Sequence, residues 1–368
     1  MDSNLYISII LIAGIVQGLF LTIILFTQKR GNRTANIILG VILLLFTIMI
    51  IPHAKFKITP HNGGFHNEYI IHMMFFLLPP LLYYYIKVLT GRHSGFSIKD
   101  ARHFIPFGIS FLLIVPLLIT DITEYNWHIL LNIITAFIAA QVLFYLYYSL
   151  RLIKEHRKNI EQNFSHIEKI NLNWLRFLLW GQLIVWFLFL LVELIDFEPR
   201  HYMWVLLAVF IYLMGYFALK QPEILIGIIS GNGKKEIKKK YAKSALTPEM
   251  SDSYYNRLIK IMEEKQPYLR ENLTLQSLAN LLSVPGYHLS QVINERLNQN
   301  FFEFINGYRI EEAKKLLAAS EKDNYSIAAI GYEAGFSSVS SFNTVFKKAM
   351  NMTPSEYKKS CSKTNTPG

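Results

Sequence analysis

The chain has 368 residues, 52% of them hydrophobic and only 17% charged, yet Lys and Arg outnumber Asp and Glu 37 to 26, a net charge of +11. Such a composition excludes a disordered or fibrous chain. A single cysteine, Cys361, excludes a disulfide framework and any zinc site built on cysteines. An oily composition and a basic excess seldom belong to one soluble fold, so the chain is expected to divide into a part for lipid and a part for water.

Splitting the sequence at Gly231 bears on that expectation. Residues 1–230 carry 17 Lys and Arg against 12 Asp and Glu, and the remainder carries 20 against 14. All the long apolar runs fall in the first part: Leu5–Phe26, Ala35–Ile51, Tyr69–Leu89, Phe104–Thr120, Trp127–Leu150, Trp174–Leu194 and Tyr202–Leu219. Each is long enough to cross about 30 Å of hydrocarbon as a helix, and continuous runs of this length are not alternating strands. Seven spans are therefore expected over residues 1–222. Odd-numbered loops hold eleven basic residues (Lys29, Arg30, Arg33, Arg92, Lys99, Arg102, Arg151, Lys154, Arg157, Lys158 and Lys169). Even-numbered loops hold only Lys55, Lys57 and Arg200. Because basic loops stay cytoplasmic, the N-terminus is expected outside and the C-terminal part inside, at a cytoplasmic (inner) membrane. The first run is too long for a signal peptide, and its basic residues follow rather than precede it.

Polar residues inside spans are costly and often functional. Gln17, His72, Gln141, Gln182 and Glu193 are the candidates here, and Glu193, Asp196 and Glu198 cluster near one outer end. His53, His61, His66, His72, His128 and His201 all map to the outer half, without local metal-ligand spacing. Pro79–Pro80 is expected to kink the third span. No phosphate loop and no cluster of catalytic side chains is visible, so no enzyme activity, cofactor or metal is expected.

Residues 223–252 form a basic juxtamembrane linker, with Lys234, Lys235, Lys238, Lys239, Lys240 and Lys243. Such a cluster rests naturally on anionic headgroups. Six lysines against Glu236 take up most of the excess, leaving the rest of the C-terminal part near +1. Overall basicity is therefore poor evidence for a nucleic-acid partner.

Residues 253–360 read as amphipathic helices. Leu275, Leu278, Ala279 and Leu282 make one apolar stripe behind Thr274, a plausible N-cap. After a break at Ser283–Gly286 a second helix turns Leu289 and Val292 inward and leaves Tyr287, His288, Ser290, Gln291 and Asn294 outward. That is helix-turn-helix spacing. The plan recurs. Ser326 caps a helix with Ile327, Ile330 and Ala334 inside, Gly335 ends it and Phe336 plugs the turn. Ser337 or Ser338 caps the next helix, which buries Phe342, Val345 and Phe346 and shows Ser340, Ser341, Asn343, Thr344 and Lys347. A spacer helix, Phe301–Ala318, joins the two units, with Phe304, Ile305, Tyr308, Ala313, Leu316 and Leu317 as its candidate core. Residues 361–368 read as a disordered tail.

The tandem arrangement resembles the AraC/XylS family of bacterial transcription regulators. The motifs are LTLQSLANLLSVPGYHLSQVIN (Leu273–Asn294), NFFEFINGYRIEEAKKLL (Asn300–Leu317) and IAAIGYEAGFSSVSSFNTVFKKAMNMTPSEYKK (Ile327–Lys359). The resemblance implies double-stranded DNA as partner, with the two units in successive major grooves. It aligns Tyr287, Ser290, Gln291, Ser340, Ser341 and Thr344 with base-reading positions. Lys347 and Lys348 are expected on phosphates, and Arg309 is expected on DNA or in an ion pair within the spacer. Gly331 stands where Ala is usual, and Asn351 where Gly is usual. The whole chain resembles membrane-anchored regulators of this family. The function expected is a membrane-bound one-component regulator: a small-molecule or membrane signal acts on the spans, and RNA polymerase and a second copy are possible partners. The alternative is a transporter or receptor-like membrane protein with an accessory helical module.

Overall fold

A computed structural model of the chain describes residues 3–28, 31–54, 73–91, 97–117, 124–167, 170–195, 201–220, 246–319 and 325–364. Among these residues every element is helical, apart from one isolated antiparallel bridge between Phe164 and Thr274. The chain separates into two units, Met1–Glu155 with Leu172–Ser230, and His156–Asn171 with Gly231–Gly368. The expected all-α class is found. The two units interleave in sequence, since His156–Asn171, the end of one apolar helix and the residues after it, groups with the second unit.

The first unit contains α1 (Ser3–Thr27), α2 (Arg33–Ala54), α3 (Leu78–Leu89), the short α4 (Ile98–Ala101), α5 (Ile105–Leu117), most of α6 (Glu124–Asn163), α7 (Asn173–Ile195) and α8 (His201–Lys220). The described parts of the seven apolar runs are helical, the third of them broken by a turn at Phe76 and Leu77. Among the described residues three helices are suited by length and composition to crossing a membrane: Tyr6–Thr27, Arg33–Ala54 and Asn132–Asn163; Met73–Leu89 and Trp204–Phe217 are apolar but shorter. Small residues let α1, α2 and α8 pack closely. A Cβ on Gly14 would come within 2.8 Å of the Ala208 Cβ, and one on Gly18 would collide with Thr47. The core they share includes Leu11, Leu43, Phe46, Met49, Ile211 and Met214. The outer faces are as apolar as this core: Phe177 is 73% exposed and Leu112 72%, with Val16, Phe20, Ile23, Phe137 and Phe187 also outward.

Pro79 and Pro80 do not kink a continuous third helix. They stand in the first turn of α3, where a missing N–H matters least. The chain turns at Phe76 and Leu77 just before it, and the Gln141 side-chain amide donates to the Phe76 carbonyl at 3.2 Å. Gln141 thus satisfies a backbone acceptor in apolar surroundings. His53 stacks on Trp204 with ring centroids 3.8 Å apart. His61, His66, His72, Asp196, Glu198 and the lysine linker lie outside the described residues.

The second unit contains α9 (Pro248–Glu264), α10 (Leu275–Leu282), α11 (Gly286–Leu297), α12 (Phe301–Ala318), α13 (Ile327–Glu333), α14 (Val339–Met350) and α15 (Pro354–Thr364). The α9 helix starts inside the segment read as linker, because Thr247 caps it through the Met250 amide and Pro248 suits its first turn. The α15 helix continues to Thr364, into the segment read as tail. Two cores fill the unit. One, under the first helix pair, holds Leu258, Leu278, Ala279, Leu282, Leu289 and Phe304. The other holds Ile310, Ala313, Ile330, Phe336, Phe342 and Phe346. The spacer α12 contributes to both, and that dual burial makes it one rigid strut.

Candidate nucleic-acid interface

Local sequence chemistry shapes both helix pairs. Thr274 caps α10 in a capping box with Ser277 (3.1 Å from the Ser277 amide to the Thr274 Oγ1). Ser283 then takes a left-handed conformation (φ 51°), and the Arg257 guanidinium donates to the Leu282 carbonyl at the helix end. Ser326 caps α13, and Ser338 rather than Ser337 caps α14 through the Ser341 amide at 3.1 Å. All four residues of the first stripe are buried, as are Leu289, Val292, Ile330, Ala334, Phe336, Phe342 and Phe346. Asn351 ends α14 at φ 55°, the left-handed conformation Asn tolerates best after Gly.

Two glycines set the second pair. Gly335 has φ +90°, and a Cβ there would lie 2.5 Å from the Tyr268 carbonyl oxygen and 2.9 Å from the Leu269 Cα. A Cβ on Gly331 would lie 2.7 Å from Cδ1 of Phe342. Gly331, the departure from the usual Ala, thus leaves room for the Phe342 ring between α13 and α14.

The outward face of α11 carries Tyr287, Ser290, Gln291 and Asn294, all partly exposed. Gln291 Nε2 donates to Glu295 Oε1 at 2.9 Å, and Asn294 Nδ2 donates to the Ser290 carbonyl at 2.6 Å. These i,i+4 bonds hold the polar side chains along one face. On α14, Ser340, Asn343, Thr344, Lys347 and Lys348 are exposed, spaced along a single face of the helix.

Two expected outward residues are not outward. His288 is only 8% exposed and lies against Tyr287 and Tyr254, with ring centroids 4.3 and 5.9 Å away. One position from Leu289, it falls on the flank that α9 covers, and burial lowers its pKa so that the ring is neutral at physiological pH. Ser341 is 6% exposed because it is the third residue of α14, folded against its cap.

Arg309 is not outward, and among the described residues it has no ion-pair partner. It is 1% exposed, and its Nε and Nη2 donate to the carbonyls of Tyr268 and Arg270, each at 2.8 Å. Burial draws its pKa down to about 10, opposed by the Glu271 carboxylate, so it stays charged at neutral pH. The same guanidinium lies 5.8 Å from the centre of the Phe336 ring. Its place is legible after the fact: Arg309 lies four residues after Ile305 and four before Ala313, both fully buried. Ser165 and Asn306, which meet Arg309 in the same buried site, escaped the sequence reading.

Two crossing helix pairs fastened to one strut form a tandem helix-turn-helix domain, the architecture of a DNA-binding regulator. Comparison with known proteins agrees. Residues 278–360 match the family profile described as a helix-turn-helix domain, which is of the AraC type. An uncharacterized HTH-type transcriptional regulator of Bacillus subtilis, YdeC, is 32% identical over 89 residues, which are 24% of this chain and 30% of that protein. The TCP pilus virulence regulatory protein of Vibrio cholerae is 47% identical over 57 residues, 16% of this chain and 20% of that protein. The chain thus spans less than a third of the length of either relative. A solved structure, the C-terminal domain of AraT, a response regulator from Geobacillus stearothermophilus, shows 29% identity over 32% of this chain and 88% of that one, with a TM-score of 0.26. The C-terminal unit is a helix-turn-helix domain of the kind HTH-type transcription regulators carry.

Proposed function

We propose that the chain is a membrane-bound one-component transcription regulator whose helical N-terminal unit responds to a signal and governs sequence-specific DNA binding by the tandem helix-turn-helix unit. The observation that carries the DNA-binding part is the pair of capped helix-turn-helix units on the shared strut α12. Tyr287, Ser290, Gln291 and Asn294 read bases from α11, and Ser340, Asn343 and Thr344 read them from α14. Lys347 and Lys348 hold phosphates, while His288 and Ser341 brace the helices behind this face. The protein acts by binding rather than catalysis, and a second copy and RNA polymerase are its partners on DNA.

The membrane part of the reading is supported by helices that are apolar inside and out, since a water-soluble bundle keeps a polar exterior. Eleven basic residues in one set of loops against three in the other favour a cytoplasmic C-terminal unit. The test is DNA binding by the full chain in lipid nanodiscs, measured at several salt concentrations on its own upstream DNA and on random duplex. A steep salt dependence with clear preference for the specific duplex is expected. Equal affinity for both would overturn the regulator reading, and release of the chain from membranes by alkaline washing would overturn the membrane reading.

A further inference from the structure

The Arg309 site has an occupant from far away in the chain. Ser165 is 1% exposed, and all its polar groups are taken up within the second unit. Its amide and Oγ both donate to the Leu273 carbonyl, at 3.3 and 2.7 Å. Its own carbonyl accepts from Arg309 Nη1 at 3.2 Å and from Asn306 Nδ2 at 3.3 Å, and its Oγ accepts from Arg309 Nη2 at 3.2 Å. Phe164, beside it, forms the antiparallel bridge with Thr274, the N-cap of α10. Phe164 and Ile167 are buried as well. The end of α6 and the residues just after it are thus held by one β-type bridge plus a buried cation, and pairing of this kind is one of the general ways in which proteins hold peptides.

The position of this site matters as much as its bonds. Arg309 belongs to the strut, its carbonyl partners precede α10, and the Phe336 ring beside it belongs to the turn of the second helix pair. Gly335 in that turn closes against Tyr268, one of those carbonyl partners. The peptide therefore sits where both helix-turn-helix units meet. In sequence it belongs to His156–Asn171, the part of the second unit that starts within α6 and ends just before α7.

We propose that residues 162–167 are a built-in docking peptide that fixes the relative setting of the two helix-turn-helix units, so that movement of the helices flanking it changes DNA affinity. This rests on the regulator reading above. A docked peptide pre-orders the junction, so DNA contacting both units loses less entropy on binding. Undocking therefore weakens binding to a two-groove site and spares binding through one unit alone.

The test uses the full chain in lipid nanodiscs, with Ser165→Pro, Ser165→Ala and Ser165→Thr. Proline removes both the amide donor and the hydroxyl, and it stands two residues beyond Asn163, the last residue of α6. Amide hydrogen exchange is followed across 162–167 and 273–275, with peptides of α13 and α14 reporting intact folding. The DNA probe is a duplex selected from a random library by the unsubstituted chain, beside the same duplex with one half scrambled. Ser165→Pro is expected to accelerate exchange in both segments and to weaken binding to the full duplex about tenfold, the scale of one or two lost hydrogen bonds. Ser165→Ala gives a smaller change, Ser165→Thr restores both readouts, and the scrambled duplex shows no difference. Exchange across 162–167 that is already fast in the unsubstituted chain would overturn the docking. Faster exchange with unchanged affinity for the full duplex would overturn its role at the junction. Failure of the unsubstituted chain to select any duplex would instead overturn the regulator reading and the DNA half of this proposal, with the docking still decided by exchange.

Discussion

Replacing Gly335 by Ala should strongly destabilise the second helix pair, while the same change at Gly307 should stabilise the unit. At Gly335 two penalties combine. A residue with a Cβ in the left-handed region is strained by about 1–2 kcal/mol, and φ +90° lies beyond the comfortable part of that region. The Cβ would also meet backbone atoms of Tyr268 and Leu269 at 2.5–3.0 Å, and backbone in a packed core yields only at about 1–3 kcal/mol more. A loss of about 3 kcal/mol is a large part of the stability of a unit this size. Gly307 lies within the strut and a Cβ there meets nothing within 4 Å, so Ala gains about 0.5–1 kcal/mol of helix propensity. No Trp lies in the second unit, so amide exchange of α13 and α14 in the full chain is the assay. About a hundredfold faster exchange is expected for Gly335→Ala and slower exchange for Gly307→Ala. Protection in Gly335→Ala equal to that of the unsubstituted chain would refute the reasoning.

Other expectations follow from the same packing and charges. Ser338→Ala removes the α14 cap and should cost about 1 kcal/mol, read as faster exchange in the first turn of that helix. Arg309→Met leaves the carbonyls of Tyr268 and Arg270 and the groups of Ser165 without their buried donor. Each carbonyl so left should cost about 1–3 kcal/mol, seen as joint loss of protection around α10 and α12. His288 has a folded pKa lowered by burial from the usual 6.5. The unfolded chain therefore binds its proton first, and the stability tied to the neutral ring is complete above that value and lost as pH falls below it. Urea midpoints of the second unit should drop between pH 7.5 and 5.5, and His288→Phe should flatten that drop. On DNA, Lys347→Ala should weaken all duplexes alike and reduce the salt slope by about one. Gln291→Ala should instead change preference at one base pair by about 1–3 kcal/mol, measured by competition among single-position variants.

What the sequence showed and what it hid divide along one physical line. The strut Phe301–Ala318 begins and ends where its apolar spacing predicts, and Thr274, Ser326 and Ser338 cap the helices expected of them. These features are local: a cap and its amide are three residues apart, and a stripe repeats every three or four. His288 was misplaced because a position one step from a core residue can face either water or a neighbour, and only the presence of α9 decides which. The departure at Gly331 has its reason only in the fold, where the Phe342 ring occupies the space a Cβ would need.

Ser165 is the limiting case. Its flanking residues Asn163, Phe164 and His166 carry no periodicity, and the segment reads as one more polar loop between apolar helices. Its partners Leu273, Asn306 and Arg309 are more than a hundred residues away. One trace of the site did stand in the sequence. An arginine on the buried stripe of a strut needs acceptors for five N–H groups, and α12 itself offers little beyond the Asn306 side chain. A buried cation so provided for must draw its acceptors from elsewhere in the fold. The carbonyls ahead of α10 supply some of them, and a serine from the loop between α6 and α7 supplies the rest. An arginine in that position is therefore a sign that a further segment of chain lies against the strut, even when nothing in that segment announces itself.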